Sequence, residues 1–417
     1  MGDPPRVEVD LTDPDLWRAG VPHDEFRRLR TLGGVAWAEH PGGHRGFWVA
    51  SSHADLVAIS RDTATFSSRG GVITLDDLHP DQLEARRTML EEDPPRHRQL
   101  RSLTSAHFTP RAVRAHEAVV RALAVGSIES ALSMGECDLV PNLSERVPIR
   151  VLARILGLPD DQVDRLVALG NRMIGSDDPE YLDPALEAVP EAERRLLPFG
   201  HPAALEAFEL AWGLARARRE KPVDDVLTAL ATGEIDGRRL SDRELGTYFV
   251  LLAIAGNETT RHTITSGVAA LASFPDQWRL LVSGDIDPGA AADEVIRWAT
   301  AIHFHRRVAT RDVRFGDVEI ETGEKVALYY ASANFDESVF HDPHRFELGR
   351  APNDHVSFGR GGPHFCLGAH LARLEVRVVL EELRSRVSTI ELTGDPVRLR
   401  SNHINGLKHL PVRLTPR

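Results

Sequence analysis

The stretch that decides the fold is Phe358-Gly359-Arg360-Gly361-Gly362-Pro363-His364-Phe365-Cys366-Leu367-Gly368, directly before an apolar-periodic run at residues 369–380. Its glycines let the backbone turn tightly and lie close to a flat partner. The thiolate of a cysteine at the start of a helix is stabilised by the positive helix end and by backbone N–H groups. A thiolate held in this way can be an axial ligand of haem iron, and the alternative for Cys366 is a buried structural cysteine.

This stretch resembles the haem-binding loop of the cytochrome P450 monooxygenases. Gly362, His364 and Gly368 stand at the family's spacing from Cys366, whereas Phe358 and Gly359 lie one residue further upstream. A similar longer loop occurs in bacterial members that oxidise sterols and methyl-branched lipids. The resemblance implies that Cys366 binds the iron of haem b, and that other residues of the loop contact the haem: Phe358, Gly359, His364 and Gly368.

Composition places the chain among cytoplasmic proteins without a membrane anchor. The formal charge of −12 argues against a nucleic-acid binder, and no apolar run approaches the 18 residues of a membrane helix. The N-terminus has no apolar signal region. The only two cysteines, Cys137 and Cys366, make no disulfide framework and fit a reducing cytosol.

The pattern along the 417 residues predicts a single domain, 1–417, that is mainly α with small β-sheets. Strand-like runs at residues 35–39 and 47–51 flank a Pro-Gly-Gly turn, residues 81–300 are mostly helical, and strand character returns at 308–320, 325–329 and after 390. Residues 176–201 are rich in Pro, Asp and Glu and are predicted to form a mobile loop between helices, and the resemblance implies that this loop lies near the substrate entrance. The resemblance implies the triangular prism of the family, with haem between the long central helix and the cysteine-ligand helix.

The longest predicted helix opens at the capping box Ser241-x-x-Glu244 and closes at Phe274-Pro275. Its middle, residues 255–260, reads Ala-Gly-Asn-Glu-Thr-Thr, and polar groups in an apolar helix need partners. One interpretation is a groove for oxygen and water, opened because Thr259 bonds the carbonyl one turn back. The other is a contact between helices, with Glu258 paired to an arginine.

By resemblance, this segment is the acid–alcohol pair of the family. Thr259 would donate a hydrogen bond during oxygen activation and Glu258 would relay protons from solvent, while Ala255 and Gly256 would lie against the haem. The family also has a buried structural triad, which Glu294, Arg297 and Arg345 match.

Haem propionates need cationic or hydrogen-bonding partners, and four residues match the family's positions for them: His97, Arg101, Arg307 and His364. His97 and Arg101 stand four residues apart and so share one helix face. Sequence alone does not separate Arg307 from its neighbour Arg306.

The resemblance also implies a mainly apolar substrate pocket, which favours an apolar substrate. Its predicted members are Val72, Ile73, Leu75, Val250, Ala255, Ala301, Ile302, His303, Phe304 and Ile404. The expected substrates are a steroid, a terpenoid or a branched lipid, in that order. His303 and His305 would either bind a polar substrate group or pack, and packing is favoured.

The predicted function is hydroxylation by a monomeric haem-thiolate monooxygenase that uses O₂ and electrons from NAD(P)H through a ferredoxin reductase and a ferredoxin. No flavin- or iron–sulfur-binding domain follows the haem part, so the electrons are expected from separate proteins. Arg360, Arg373 and Arg377 would form a basic docking patch or be ordinary solvated charges. The alternatives are a peroxide-dependent peroxygenase, which tends to lack the acid–alcohol pair, oxidation of a polyketide-type product, and a non-catalytic haem or lipid binder.

Overall fold

The computed structural model describes residues 3–174 and 177–417, apart from the side chains of residues 174 and 191. Helices dominate this part of the chain, as the sequence predicts. They are α1 Pro14–Ala19, α2 His23–Thr31, α3 His53–Arg61, α4 Pro80–Arg86, α5 Arg96–Thr104, α6 Pro110–Arg114, α7 Glu117–Met134, α8 Arg146–Leu156, α9 Val163–Ile174, α10 Pro184–Glu187, α11 Glu191–Arg194, α12 Ala203–Glu220, α13 Val226–Thr232, α14 Asp242–Ser273, α15 Pro275–Ser283, α16 Pro288–Ala299, α17 Tyr330–Ala333 and α18 Ala369–Arg386.

The strands are short and form small sheets. They are β1 Val35–Ala38, β2 Phe47–Ala50, β3 Phe66–Ser67, β4 Glu136–Asp138, β5 Glu234–Ile235, β6 Arg238–Arg239, β7 Phe304–Ala309, β8 Val313–Phe315, β9 Val318–Ile320, β10 Lys325–Tyr329, β11 Val387–Leu392, β12 Val397–Arg398, β13 Leu407–His409 and β14 Pro411–Pro416. The largest sheet has the order β1-β2-β10-β7-β3.

The predicted hairpin near the N-terminus is confirmed. β1 pairs antiparallel with β2, with Val35 opposite Ala50, and β10 joins β2 in parallel. The strand character predicted for residues 308–320 is divided between the end of β7 and the hairpin β8–β9, which turns at Gly316 with a φ of +59°.

The predicted bounds of the long helix are also confirmed. Ser241 caps α14 through a complete capping box with Glu244, and Phe274 ends it before Pro275. Its 32 residues make a rod of about 48 Å at about 1.5 Å per residue. It packs against α8, α12, α16 and α18, so the largest apolar core forms around it.

The segment predicted as a mobile loop contains regular structure. It includes α10, α11 and a turn at Pro198–Gly200, because Asp183 caps α10 and Pro184 begins it. Ser176, the first residue of that predicted segment, lies outside the described residues.

In the described part of the chain, no helix is both long enough and apolar enough to span a membrane.

Candidate active site

One cavity of about 670 Å³ lies between the middle of α14 and the glycine-rich loop before α18. The structure brings all the residues predicted for catalysis and haem binding into its lining. These are His97, Arg101, Ala255, Gly256, Glu258, Thr259, Arg307, Phe358, Gly359, His364, Cys366 and Gly368.

Cys366 lies on the cavity wall, held by the backbone of its own loop. Its N–H donates to the carbonyl oxygen of Phe358 at 2.8 Å. Burial raises the pKa of the Cys366 thiol, while the N–H groups of Gly368 and Ala369 and the guanidinium of Arg101 act in the opposite direction. The backbone N–H groups at the start of α18 thus stabilise a thiolate at Cys366, as its position before the helix predicts. The burial of Cys366 acts against this stabilisation, because a buried site disfavours charge.

The longer loop keeps Phe358 beside the cysteine. Gly359 and Gly361 take positive φ values of +72° and +101°, and a Cβ on Gly362 would overlap the carbonyl oxygen of Ser60. The additional residue is therefore taken up within the glycine run. The ring of Phe358 lines the cavity and is covered by Arg373, with 4.7 Å from the guanidinium carbon to the ring centroid.

The four residues predicted for the propionates meet at this cavity. The rings of His97 and His364 are 4.1 Å apart, and burial lowers the pKa of His97 to about 4 and that of His364 to about 2. Burial also lowers the pKa of Arg101 and Arg307. In the described structure none of the four forms an ion pair with a protein carboxylate.

These features fit haem. Buried guanidinium groups without counterions need anionic partners, and two propionates supply them. The Cys366 thiol faces the same cavity and supplies a sulfur ligand for iron. Nδ1 of His97, which is buried without a hydrogen-bond partner in the described structure, is free to face a propionate.

The structure separates Arg307 from Arg306. Both lie on β7, where successive side chains point to opposite faces of the sheet. Arg307 lines the cavity, whereas Arg306 donates to the carbonyl oxygens of Gly71 at 3.1 Å and Asp76 at 2.6 Å.

The acid and the alcohol of α14 have different surroundings. Thr259 Oγ1 donates to the carbonyl oxygen of Ala255 at 2.8 Å, the bond to the preceding turn that the sequence predicts. Glu258 is buried and forms an ion pair with Arg261, and it lies 3.4 Å from His262 Nε2. Burial raises the pKa of Glu258, but Arg261 and His262 more than offset this and hold it below its ordinary value. The interpretation as a contact between helices, with Glu258 paired to an arginine, is therefore confirmed, since Gly256 also packs against Leu152 of α8. The bond on which the groove interpretation depends is present, and the groove itself stays a prediction.

The predicted triad requires one correction. Glu294 accepts from Arg297 at 2.7 and 2.8 Å, as predicted, but the third arginine is Arg350 rather than Arg345. Arg345 is exposed and its side chain has no hydrogen-bond partner in the described structure. Residues 341–349 turn back over α16, so the arginine five positions later enters the core.

Of the ten residues predicted for the substrate pocket, five line the cavity. Ile73, Ala255, Ala301, Ile302 and Ile404 line the cavity. In the described structure five predicted members do not: Val72, Leu75, Val250, His303 and Phe304.

Each of these five is buried instead. Val72, Leu75 and Val250 are almost completely buried, and Leu75 and Val250 belong to apolar cores. The ring of His303 lies 4.0 Å from that of Trp17, which confirms packing for this histidine. Phe304 packs against Tyr329, on the face of β7 opposite His305 and Arg307.

Several residues that line the cavity were not predicted from the sequence. His403 lines the cavity beside His305, Arg86 comes from the end of α4, and Leu251 and Ile254 come from α14. The helical period of α14 would have indicated Leu251, which lies one turn before Ala255, and then Ile254, which lies three residues after Leu251. The other two come from segments with no periodic signal.

The predicted basic patch is neutralised locally. Arg360 pairs with Asp354 at 2.6 Å, Arg373 with Asp293 at 2.7 Å, and Arg377 with both Glu117 and Glu381. Arg373 and Arg377 are partly buried and Arg360 is exposed, and all three are ion-paired, so the docking patch gains little support over the alternative of ordinary surface charges.

Known proteins resemble the chain over nearly its whole length. A cytochrome P450 family model matches residues 289–404. The steroid C26-monooxygenase of Mycolicibacterium smegmatis is 37% identical over 419 residues, covering 98% of this chain and 94% of that protein. The methyl-branched lipid omega-hydroxylase of Mycobacterium tuberculosis is 37% identical over 420 residues, covering 98% of this chain and 95% of that protein. The structure of a Mycobacterium marinum cytochrome P450 in complex with pseudoionone has a TM-score of 0.88 at 37% identity, covering 99% of this chain and 100% of that one.

Proposed function

The chain belongs to the cytochrome P450 family and is a monooxygenase, and on this premise we propose that it hydroxylates a steroid, a terpenoid or a methyl-branched lipid. The observation that carries the proposal is the single cavity that joins Cys366 and Thr259 to an aliphatic wall. That wall includes Leu251, Ile254 and Ile302. An apolar wall favours an apolar substrate. The names of two relatives state steroid and methyl-branched lipid substrates, and the similar Mycobacterium marinum structure holds pseudoionone, so all three have apolar ligands.

When bound, haem supplies an iron that activates O₂ and inserts one oxygen atom into a C–H bond. We propose that Cys366 holds the iron through sulfur, and that His97, Arg101, Arg307 and His364 bind the propionates. The haem would also contact two segments of the cavity wall. These are α14, through Ala255 and Gly256, and the loop before α18, through Phe358, Gly359 and Gly368.

Thr259 and Glu258 are proposed to move protons. Thr259 Oγ1 lies on the cavity wall, and its single hydrogen, now donated to the carbonyl oxygen of Ala255, would have to leave that bond to be donated into the cavity. Glu258 remains ionised beside Arg261, and a carboxylate that exchanges protons at the cavity wall is a suitable relay.

The electron source and setting belong to the same proposal. We propose a monomeric, cytoplasmic enzyme whose residues 1–417 form one haem domain, supplied by NAD(P)H through a ferredoxin reductase and a ferredoxin. Dependence of turnover on both proteins tests this, and equal turnover with hydrogen peroxide alone would favour the peroxygenase alternative.

The test is product analysis. The haem-loaded protein is titrated with a steroid, a terpenoid and a methyl-branched lipid, and those that shift the haem spin state are incubated with ferredoxin, its reductase and NAD(P)H. A product heavier by one oxygen atom supports the proposal. A response only to polar amino acids, peptides or sugars would overturn it.

The alternatives are not favoured. The acid–alcohol pair that a peroxygenase tends to lack is present on the cavity wall. Two relatives of nearly the same length are a steroid C26-monooxygenase and a methyl-branched lipid omega-hydroxylase, so a polyketide-type substrate has less support.

A further inference from the structure

Arg86, the last residue of α4, lines the active-site cavity without a counterion. Its side chain forms no hydrogen bond and no ion pair with the described residues. Burial lowers the pKa of its guanidinium, although an arginine remains charged in proteins. A largely desolvated cation of this kind is costly unless an anion joins it.

The surroundings of Arg86 hold its guanidinium in place. A Cβ on Gly200 would lie 2.7 Å from Arg86 Nη2, so the guanidinium rests against the turn Pro198–Gly200. Gly200 has a φ of +69°, which favours glycine at this contact. The position of the charge is therefore set by α4 and by this turn.

The carboxylates near Arg86 have other partners. Asp76 accepts from His40 Nε2 at 3.1 Å, and Glu91 accepts from Thr88 N at 3.1 Å within its capping box. Asp177, which also lines the cavity, is influenced chiefly by its burial and by Arg400.

Arg86 is also distinct from the cations proposed for the propionates. The charges that act on it are those of Asp76 and Glu91, whereas Arg101 is influenced by Cys366, and His364 by Arg307 and His97. Arg86 thus belongs to another part of the cavity wall, together with Asp76 and Glu91.

We propose that Arg86 binds a carboxylate of the substrate, which makes the substrate a lipid acid with its acid end at α4 and its hydrocarbon end toward Cys366. This inference rests on the proposed function and narrows its substrate class. A guanidinium and a carboxylate form paired, charge-assisted hydrogen bonds. Oxidation then falls on a carbon remote from the acid group.

The test compares a methyl-branched long-chain fatty acid with its methyl ester in the haem-loaded protein. The pair differs in charge at one end, while the hydrocarbon is the same. Affinity is measured by the spin-state titration and by equilibrium dialysis, and the oxidised carbon is located by mass spectrometry. Wild-type protein should bind the acid more tightly than the ester.

Arg86→Gln removes the charge and keeps most of the side chain. It should weaken binding of the acid about tenfold or more and that of the ester less than about twofold. Arg86→Lys should retain part of the preference, because it keeps the charge without the planar fork. Arg87→Gln is the matched control, since Arg87 pairs with Glu84 at 3.0 Å, and it should leave both affinities unchanged.

The outcomes separate the two proposals. Equal weakening of acid and ester in Arg86→Gln, or no change in either, overturns the role of Arg86 while leaving the proposed function intact. Absence of binding and oxidation of both compounds, of the neutral steroid and of the terpenoid by wild-type protein overturns the two proposals together. If Arg86→Gln does not fold, Arg86→Lys and the wild-type preference for the acid decide the question, and a preference for the ester sinks the inference.

Discussion

Arg350 Nε lies 3.2 Å from Glu294 Oε2, and both side chains are buried. Glu294 also accepts from Arg297, from the N–H of Glu347 at 3.1 Å and from Asn353 Nδ2 at 3.1 Å. This one carboxylate therefore ties α16 to the segment that leads to the cysteine.

Removing Arg350 should destabilise the protein strongly. Arg350→Met leaves the carboxylate of Glu294 buried with one cation fewer, which should cost about 3 kcal/mol or more of unfolding free energy. Denaturant unfolding measures this. Arg345→Met is the matched control and should change stability by less than about 0.5 kcal/mol, because Arg345 is exposed. The reverse ranking would mean that Arg345 completes the triad.

Cys366→His should remove thiolate ligation of the haem. The reduced wild-type protein under carbon monoxide should show the strongly red-shifted Soret band of a thiolate-ligated haem, and the variant should lack it because imidazole donates less electron density. Cys137→Ser is the control, since Cys137 lies on β4 outside the cavity lining. Persistence of the band in Cys366→His would contradict the assignment.

The features predicted well from the sequence are those fixed by local signals. The capping box at Ser241 and the proline after Phe274 set the ends of α14, and the glycine run before Cys366 sets the loop. The choice between Arg345 and Arg350 depends instead on how an irregular segment folds back over α16, which no local pattern records.

The residues predicted for the substrate pocket also show the difference between local signals and long-range packing. Val72, Leu75 and His303 lie in segments without helical or strand period, so the side of the chain that each one faces is decided by long-range packing. Arg306 and Arg307 are separable once the register of β7 against β10 is known, because Arg307 then shares a face with His305.

His409 should make stability depend on pH. Its Nδ1 lies 2.6 Å from Asp138 Oδ2 and its Nε2 lies 2.8 Å from Glu180 Oε1. The hydrogen bond to Asp138 and, after it, that to Glu180 raise the pKa of His409 above its ordinary 6.5. Its contribution is therefore complete below pH 6.5 and is lost as the pH rises through the folded-state pKa.

His409→Gln should accordingly be less stable than wild type at about pH 6 and nearly equal to it at about pH 9. The difference should stay below about 1 kcal/mol, because the pair is partly exposed to solvent. Thermal or urea unfolding at the two pH values measures it. A difference that grows with pH would contradict the raised pKa.

Thr259→Ala should separate electron consumption from product formation. The variant keeps the apolar wall, so substrate binding and haem reduction should persist, while electrons pass to hydrogen peroxide or water because the hydroxyl no longer directs protons. Product per NAD(P)H consumed should fall about tenfold or more. Thr265→Ala is the matched control, since Thr265 makes the same bond one turn back, to Arg261 at 2.8 Å, but does not line the cavity in the described structure. Its ratio should match wild type. An unchanged ratio in Thr259→Ala would instead mean that the proton donor is another group, such as a hydroxyl of the substrate itself.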